Sequence, residues 1–141
     1  MDVKKGPQFE TNLKTESAGE FLIETDETIM LGGRGIAPNP VQVFIAGFLA
    51  CYSATFAKWA AMEGVELKHF KTVATVNMDL ATVIGTSDTA DILENMRIDL
   101  FVESDASLEK LNEINEIAMK RSPGYYCVSH AITPKINLTK E

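Results

Sequence analysis

The chain has 141 residues, of which 45% are hydrophobic and 23% are charged, as is usual for one domain with its own core. Its net charge of −7 argues against nucleic acid or an anionic membrane surface as a main partner. No apolar segment follows the first residues as in a secretory signal, and two cysteines are too few for a disulfide framework. We therefore expect a cytoplasmic protein that folds as a single domain, residues 1–141.

The N-terminal part of the chain is predicted to form a strand meander. In QFETNLKT the residues Phe9, Thr11 and Leu13 share one face, and SAG is a turn that leads into the second strand, EFLIETD. The segment TIML is predicted to be a short third strand. The segment GGRGIAPNP, residues 32–40, is predicted to be a loop because it combines three glycines with two prolines.

The segment NPVQVFIAGFLACYSATFAKWAAMEG, residues 39–64, predicts one long helix. Proline is favoured at the first position of a helix and glycine just after its end, so we expect the helix to run from Pro40 to about Met62 and to stop at Gly64. The helix carries no charge from Val43 to Ala57, and this stretch is shorter than the roughly 20 apolar residues that span a bilayer. This indicates a helix in a protein core rather than in a membrane.

The apolar residues of this helix surround its axis instead of forming one stripe, which predicts burial on all sides. A single antiparallel sheet covers only one side of such a helix. A second copy of the chain could cover the other side, so we expect an obligate homodimer with a large hydrophobic interface. The alternative is a monomer in which a second helix of the same chain covers the far side.

The C-terminal half predicts a long hairpin followed by helices. HFKTVATVNMDLATV and ILENMRIDLFVES alternate as antiparallel strands, and GTSDTAD lies between them as a turn. The residues expected to face inward are Ala74, Val76, Met78, Leu80, Met96, Ile98, Leu100 and Val102. ASLEKLNEINEIAMKR is an amphipathic helix, Pro123 and Gly124 break it and begin a short helix, and KINLT is predicted to be a last strand. The order β-β-β-α-β-β-α-α-β indicates an α+β fold.

The cysteines are the candidates for chemistry that remain after other sites are considered. His69 and His130 lie far apart in the sequence, and neither has zinc-ligand spacing with a cysteine, so no metal site is expected. The GGRG segment does not match a nucleotide-binding pattern. Cys51 could pack as a small hydrophobic residue or react as a thiolate, and the same two alternatives stand for Cys127.

The order of these features resembles the OsmC/Ohr superfamily of osmotically inducible proteins and organic hydroperoxide resistance enzymes. The most specific part is the interval from Pro40 to Cys51, which ends in the AG-x-x-AC pattern of the hydroperoxide reductases. The resemblance covers nearly the whole chain. It implies an OsmC-like α+β fold, with antiparallel sheets wrapped around a central cysteine-bearing helix in an intertwined homodimer.

The resemblance also implies a reaction. Cys51 would attack the distal oxygen of an organic hydroperoxide and become a sulfenic acid, and Cys127 would condense with it to a disulfide. An external dithiol of the lipoyl type would reduce this disulfide, and no bound cofactor is expected. An apolar pocket would select organic peroxides over hydrogen peroxide. Four aromatic residues could line it, with core packing favoured at least as much for each: Phe44, Phe48, Tyr52 and Phe56.

The chain departs from the family pattern at the residues that polarise the thiol. The family glutamate follows the helix-opening proline, where this chain has Val41, and a neighbouring subgroup has it one place later, at Gln42. The family arginine comes from the N-terminal strand region. Here Lys14 or Arg34 could supply the cation that stabilises the Cys51 thiolate.

The second cysteine is displaced as well. The family has Cys-Pro soon after the amphipathic helix, a place that Ser122-Pro123 occupies when counted from that helix, whereas Cys127 fits when counted back from the last strand. We favour Cys127 because only it can form a disulfide. If Ser122 is the true counterpart, Cys51 has lost its resolving partner. The alternative function, favoured mainly by the missing carboxylate, is a family member with weak or no peroxidase activity that binds a small acyl or thiol-bearing ligand in the dimer cleft.

Overall fold

The computed structural model describes residues 6–88 and 91–140. The chain divides into two compact units, Met1–Gly47 and Phe48–Glu141, which are described in turn. That these units form a single domain stays a prediction. Residues 89 and 90 of the predicted turn between the two long strands lie outside the described residues.

The first unit begins with the predicted hairpin. Strands β1 (Phe9–Thr15) and β2 (Gly19–Thr25) pair antiparallel, and their register runs from Phe9 opposite Thr25 to Thr15 opposite Gly19. Gly19 has a positive φ of 84°, which glycine adopts without a steric penalty, so the turn forms at the predicted place. The first two predicted strands are confirmed.

The third predicted strand is wrong. Ile29–Leu31 forms one turn of 3-10 helix, because the N–H groups of Leu31 and Gly33 both donate to the carbonyl oxygen of Thr28. Gly32 ends this turn in the left-handed region with a φ of 83°. The short apolar segment thus satisfies its hydrogen bonds locally instead of pairing with β2.

Asp26 organises the glycine-rich loop of the first unit. Its side chain is buried, and its Oδ2 atom accepts the backbone N–H groups of Arg34 and Ile36, each at 3.1 Å. Burial raises the pKa of Asp26, but these N–H donors outweigh it and hold the pKa below its usual value. The charged carboxylate therefore acts as a cap that fixes the loop.

Helix α1 (Pro40–Met62) has the predicted bounds. Asn39 and Gln42 cap its start reciprocally: the Gln42 N–H donates to Asn39 Oδ1 at 2.8 Å, and the Asn39 N–H donates to Gln42 Oε1 at 2.9 Å. Gly64, with a φ of 70°, follows its end as predicted.

One stripe of α1 is buried. Its members are spaced by one helical turn: Phe48, Tyr52, Phe56 and Ala60. Other apolar residues of the helix are exposed, and Phe44 keeps 55% of its surface accessible. The expected burial on all sides is thus not achieved within one chain.

The full length of α1 bears on the membrane prediction. With 23 residues and a mean hydropathy of 1.5 over its most apolar window, α1 is long and apolar enough to cross a membrane by length and composition alone. The helix is longer than the uncharged stretch 43–57, since it begins at Pro40 and continues past Lys58 to Met62. A core helix of a soluble protein satisfies the same length and composition.

The second unit contains the long hairpin. Strands β3 (His69–Met78) and β4 (Leu93–Glu103) pair antiparallel, with an irregularity between Thr75 and Asn77. Asn95, on the facing part of β4, has a φ of 52°, which asparagine tolerates better than most residues. The hairpin is confirmed.

The inward residues of the hairpin are confirmed in its regular part. Ile98, Leu100 and Val102 pack against the buried stripe of α1. Met96 is exposed, since the irregularity changes the alternation there. Leu80 does not continue β3 but begins the short helix α2 (Leu80–Val83), whose N-cap Asp79 accepts the N–H of Ala81.

Two helices complete the second unit. Helix α3 (Leu108–Arg121) buries Ile114 and Ala118 and is capped by Ser107, and helix α4 (Pro123–Ser129) is capped by Ser122. The predicted last strand is wrong: residues 135–139 form no regular element, because no strand of the described chain pairs with them. The second unit is thus an α+β arrangement in which the β3–β4 hairpin, α3 and α4 pack against the buried stripe of α1.

Candidate active site

Cys51 lies in the middle of α1, at the edge of its buried stripe. Phe48 precedes it by three residues and Tyr52 follows it directly, and both are buried, whereas Cys51 itself is half-buried. Residues three or four apart share a helix face, so the thiol points along the border between the core and the surface. A sulfur in this position is held by the core and still has an exposed side.

The junction between α3 and α4 reaches the Cys51 sulfur. The backbone N–H of Gly124 donates to Cys51 Sγ at 3.3 Å, and the Ser122 hydroxyl donates to it over 3.9 Å. Ser122 is itself 2% exposed. Two neutral donors therefore contact the sulfur.

Gly124 allows this close approach. A Cβ atom at this position would lie 3.0 Å from Cys51 Cβ, 3.1 Å from the carbonyl oxygen of Phe48 and 3.3 Å from Cys51 Sγ. All three distances are shorter than ordinary van der Waals contact. A side chain at position 124 would therefore push α4 and α1 apart by a few tenths of an ångström.

An apolar cavity of about 140 Å³ lies in the second unit, and Phe48 and Tyr52, the helix neighbours of Cys51, are among the residues that line it. Its lining residues come from α1, β4, α3 and α4: Phe48, Tyr52, Ile98, Leu100, Asn115, Met119 and Tyr125. A neighbouring cavity of about 190 Å³ shares Leu100 and Asn115 with it. The space between α1, α3 and β4 is thus mostly apolar, with a few polar groups.

Tyr52 and Asn115 form the polar contact of this cavity. The Tyr52 hydroxyl donates to Asn115 Oδ1, and the Tyr52 ring lies 6.2 Å from the ring of Tyr125. Burial raises the pKa of Tyr52 to about 12, with a smaller contribution from the neighbouring Tyr125. Tyr52 is therefore a neutral hydrogen-bond donor at physiological pH.

Of the predicted site residues, the structure brings Phe48 and Tyr52 together with Cys51. Cys127 lies on the exposed side of α4, and both cysteines are free. Ser122 is the residue of this segment whose side chain contacts the Cys51 sulfur. This is the place that the count from the amphipathic helix gives for the second cysteine.

The remaining predicted residues belong to the first unit. Lys14 pairs with Glu20 at 2.9 Å on the exposed hairpin, and Gln42 takes part in the cap of α1. Arg34 contributes its backbone N–H to Asp26. That any of the three acts on Cys51 stays a prediction.

Gly124 and Asn115 belong to the site but were not predicted from the sequence. Gly124 looked like a helix breaker, and only its distance to Cys51 gives it a second role. Asn115 lies on the amphipathic helix among polar residues, and the sole sequence signal was its place one residue after the buried Ile114. Within residues 6–88 and 91–140, no group of three His, Cys, Asp or Glu residues could hold a metal ion.

The fold and the site define an α+β protein with a thiol on a long central helix, packed on an antiparallel hairpin. Residues 32–137 match the sequence profile of the family described as OsmC-like protein. The chain belongs to this OsmC-like family.

Similar proteins agree with this assignment. An uncharacterized protein of Haloferax volcanii is 29% identical over 104 residues, which are 74% of this chain and 69% of that protein. The OsmC-like protein of Mycoplasma pneumoniae superposes with a TM-score of 0.64 at 15% identity, over 92% of this chain and 89% of the other. An OsmC-like hydroperoxide resistance protein from Jannaschia sp. CCS1 gives a TM-score of 0.57 at 19% identity, over 93% and 83%. At these identities the structures show the shared fold.

Proposed function

We propose that the protein is a thiol-dependent peroxidase that reduces organic hydroperoxides with Cys51. The observation that carries this proposal is the half-buried Cys51 sulfur, which accepts hydrogen bonds from Ser122 and Gly124 on a helix whose neighbouring residues Phe48 and Tyr52 line an apolar cavity. The hydroperoxide resistance function named for the Jannaschia protein of the same fold supports it.

The proposed first step is a nucleophilic displacement. The Cys51 thiolate attacks the distal oxygen of a hydroperoxide ROOH, the S–O bond forms as the O–O bond breaks, and the alkoxide takes a proton and leaves as the alcohol ROH. Cys51 is oxidised to the sulfenic acid. The Ser122 hydroxyl and the Gly124 N–H can donate to the sulfur before and after this step.

The cavity supports an organic substrate. Its walls are aromatic and aliphatic side chains, which favour an apolar R group over the hydrogen of hydrogen peroxide. Phe48 and Tyr52 are the predicted substrate residues that line it. Lys14, Arg34 and Gln42 are proposed as the polar side of the substrate site.

Cys127 is the proposed resolving thiol. Its thiol would displace the hydroxyl of the Cys51 sulfenic acid and release water, and an external lipoyl-type dithiol would reduce the disulfide by exchange. The two sulfurs must approach to about 2 Å, so α4 has to rearrange to turn Cys127 away from its exposed side. Cytoplasmic conditions would keep both thiols reduced.

A homodimer is the proposed assembly. The exposed apolar part of α1, including Phe44, and the exposed Ile136 and Leu138 near the C-terminus are surfaces that an oligomer would cover. Neither nucleic acid nor a membrane is proposed as a partner.

The test is a thiol count after oxidation. The reduced protein is mixed with one equivalent of cumene hydroperoxide, and free thiols and alcohol product are measured over minutes. We expect one alcohol per chain, the loss of two thiols and a Cys51–Cys127 crosslink in the peptide map. Cys51→Ser should abolish alcohol formation, whereas Cys127→Ser should still form one alcohol and leave a sulfenic acid. Two intact thiols and no alcohol would refute the peroxidase proposal.

A second candidate function is the binding of a small acyl or thiol-bearing ligand with little or no peroxidase activity. The observation in its favour is Ser122, a residue that cannot form a disulfide and that contacts the Cys51 sulfur directly. Under this proposal, a medium-chain acyl thioester or thiol should bind the cavity, and Leu100→Trp should block that binding. The hydroperoxide would leave both thiols unchanged.

A further inference from the structure

We propose that the Ser122 hydroxyl stabilises the thiolate of Cys51 by donating a hydrogen bond to its sulfur. This inference rests on Cys51 being the reacting thiol of the proposed function. Ser122 occupies the place of the family's second cysteine when the count starts from the amphipathic helix.

The hydrogen bonds of Ser122 leave its proton for the sulfur. A serine hydroxyl has one proton to donate and two lone pairs to accept with. Ser122 Oγ accepts the backbone N–H of Tyr125 at 3.2 Å as the cap of α4, which occupies a lone pair and orients the oxygen. The proton is then directed to Cys51 Sγ, 3.9 Å away.

Burial makes this weak contact effective. Ser122 is 2% exposed, so water does not compete freely for its hydroxyl, and a donor to an ionised acceptor gains strength in such surroundings. The N–H of Gly124, in the first turn of α4, donates to the same sulfur at 3.3 Å. The described contacts of the Cys51 sulfur are thus both donors, which favours the charged form over the thiol.

Capping of α4 could by itself account for a serine at position 122. Another capping serine in the same chain, Ser107, serves as the control for this role. Ser107 caps α3 through the N–H of Lys110 at 3.2 Å, the same geometry that Ser122 has with Tyr125. The described contacts of Ser107 do not include a thiol. Ser107→Ala therefore reports the loss of a cap, and Ser122→Ala reports the loss of a cap together with the loss of the thiolate donor.

The experiment measures the alkylation of Cys51 by iodoacetamide as a function of pH. It uses the full chain with Cys127→Ser, so that Cys51 is the thiol that reacts. We expect Ser122→Ala to move the pH midpoint of alkylation upward and to slow the reaction about fivefold near neutral pH, since a long hydrogen bond to a charge is lost. Ser107→Ala should leave the pH profile of alkylation unchanged. Ser122→Thr, which keeps the hydroxyl, should give the wild-type profile.

A further variant separates the two roles of Ser122. Ser122→Asp keeps a strong cap acceptor but offers no proton and adds a negative charge beside the sulfur. It should slow alkylation more than Ser122→Ala does while keeping α4 folded. If Ser122→Ala and Ser122→Asp both stay within about twofold of Ser107→Ala, the proposal is overturned.

This outcome is independent of the peroxidase assay. Iodoacetamide alkylation needs no peroxide and no resolving thiol, so it reads the thiolate even in a protein that does not reduce hydroperoxides. If Ser122→Ala slows the alkylation of Cys51 as expected but the wild-type protein forms no alcohol, the peroxidase proposal is refuted and this inference stands. If the protein reduces hydroperoxides but Ser122→Ala leaves the alkylation rate unchanged, this inference is refuted and the peroxidase proposal stands.

Discussion

Gly124→Ala is the sharpest perturbation that the site offers, because it adds one methyl group at the Cys51 sulfur. The new Cβ would lie 3.0 Å from Cys51 Cβ and 3.1 Å from the carbonyl oxygen of Phe48. Both neighbours belong to α1, and one is a backbone atom. Neither can rotate away as the end of a flexible side chain could, so α4 and α1 must move apart by a few tenths of an ångström.

The magnitude follows from two opposing effects. Extra methyl groups in a packed region cost about 1–3 kcal/mol. Replacing a helical glycine with alanine stabilises by roughly 0.5–1 kcal/mol when the site has room. The net loss should therefore be about 0–2 kcal/mol. The Gly124 N–H should also retreat from the sulfur and slow the alkylation of Cys51.

The assay compares Gly124→Ala with Gly6→Ala. A Cβ on Gly6 has no neighbour within 4 Å, so its substitution should change the free energy of unfolding by less than about 0.5 kcal/mol and leave Cys51 reactivity as it is. Both variants are unfolded in urea and alkylated under identical conditions. A Gly124→Ala protein that is more stable than wild type and alkylated at the wild-type rate would show that α4 does not hold the sulfur as described.

Three further predictions test the core, the cavity and the loop. Phe56→Ala should lower the free energy of unfolding by about 3–5 kcal/mol in urea melts, since this buried ring stacks on Phe70 at 4.8 Å, and a loss under about 1 kcal/mol would contradict that packing. Stability should fall by roughly 1–2 kcal/mol as pH rises from about 10 to about 12, because unfolded Tyr52 ionises first while the folded phenol stays neutral, and Tyr52→Phe should flatten this slope. Asp26→Asn should lower stability at neutral pH, because the glycine-rich loop loses its charged acceptor. It should also reduce the loss of stability that wild type shows in thermal melts as pH falls below the usual aspartate range. Equal acid sensitivity of the two proteins would contradict this role.

The sequence predicted the elements whose signals are local. The bounds of α1 follow from Asn39 and Pro40 at its start and Gly64 after its end, and these residues act through neighbouring backbone groups. The β3–β4 hairpin likewise follows from the alternation of its residues. The strands predicted at TIML and KINLT are wrong because their signal is not local. A short apolar segment forms a strand only if another strand pairs with it.

The site could be predicted only in part, since its contacts join distant segments. Cys51, Phe48 and Tyr52 came from one helix and one family pattern. Ser122 and Gly124 reach the sulfur over more than 70 positions of sequence, and a distance of that kind leaves no periodic signal. Two counts for the second cysteine gave Ser122 and Cys127, and the structure shows that the first of these residues contacts Cys51.

The same serine links the reactivity of Cys51 to the position of Cys127. Ser122 Oγ holds the first turn of α4 through Tyr125, and the proposed resolving thiol lies within that helix. A helix of seven residues gains little stability of its own, so its order depends on its cap and on its packing. Oxidation of Cys51 adds an oxygen atom to a sulfur that Gly124 already approaches closely. If Cys127 resolves the sulfenic acid, the added oxygen would displace the start of α4 and free Cys127 to turn inward, and the oxidised Cys127→Ser protein should then show faster amide hydrogen exchange in α4 than the reduced one.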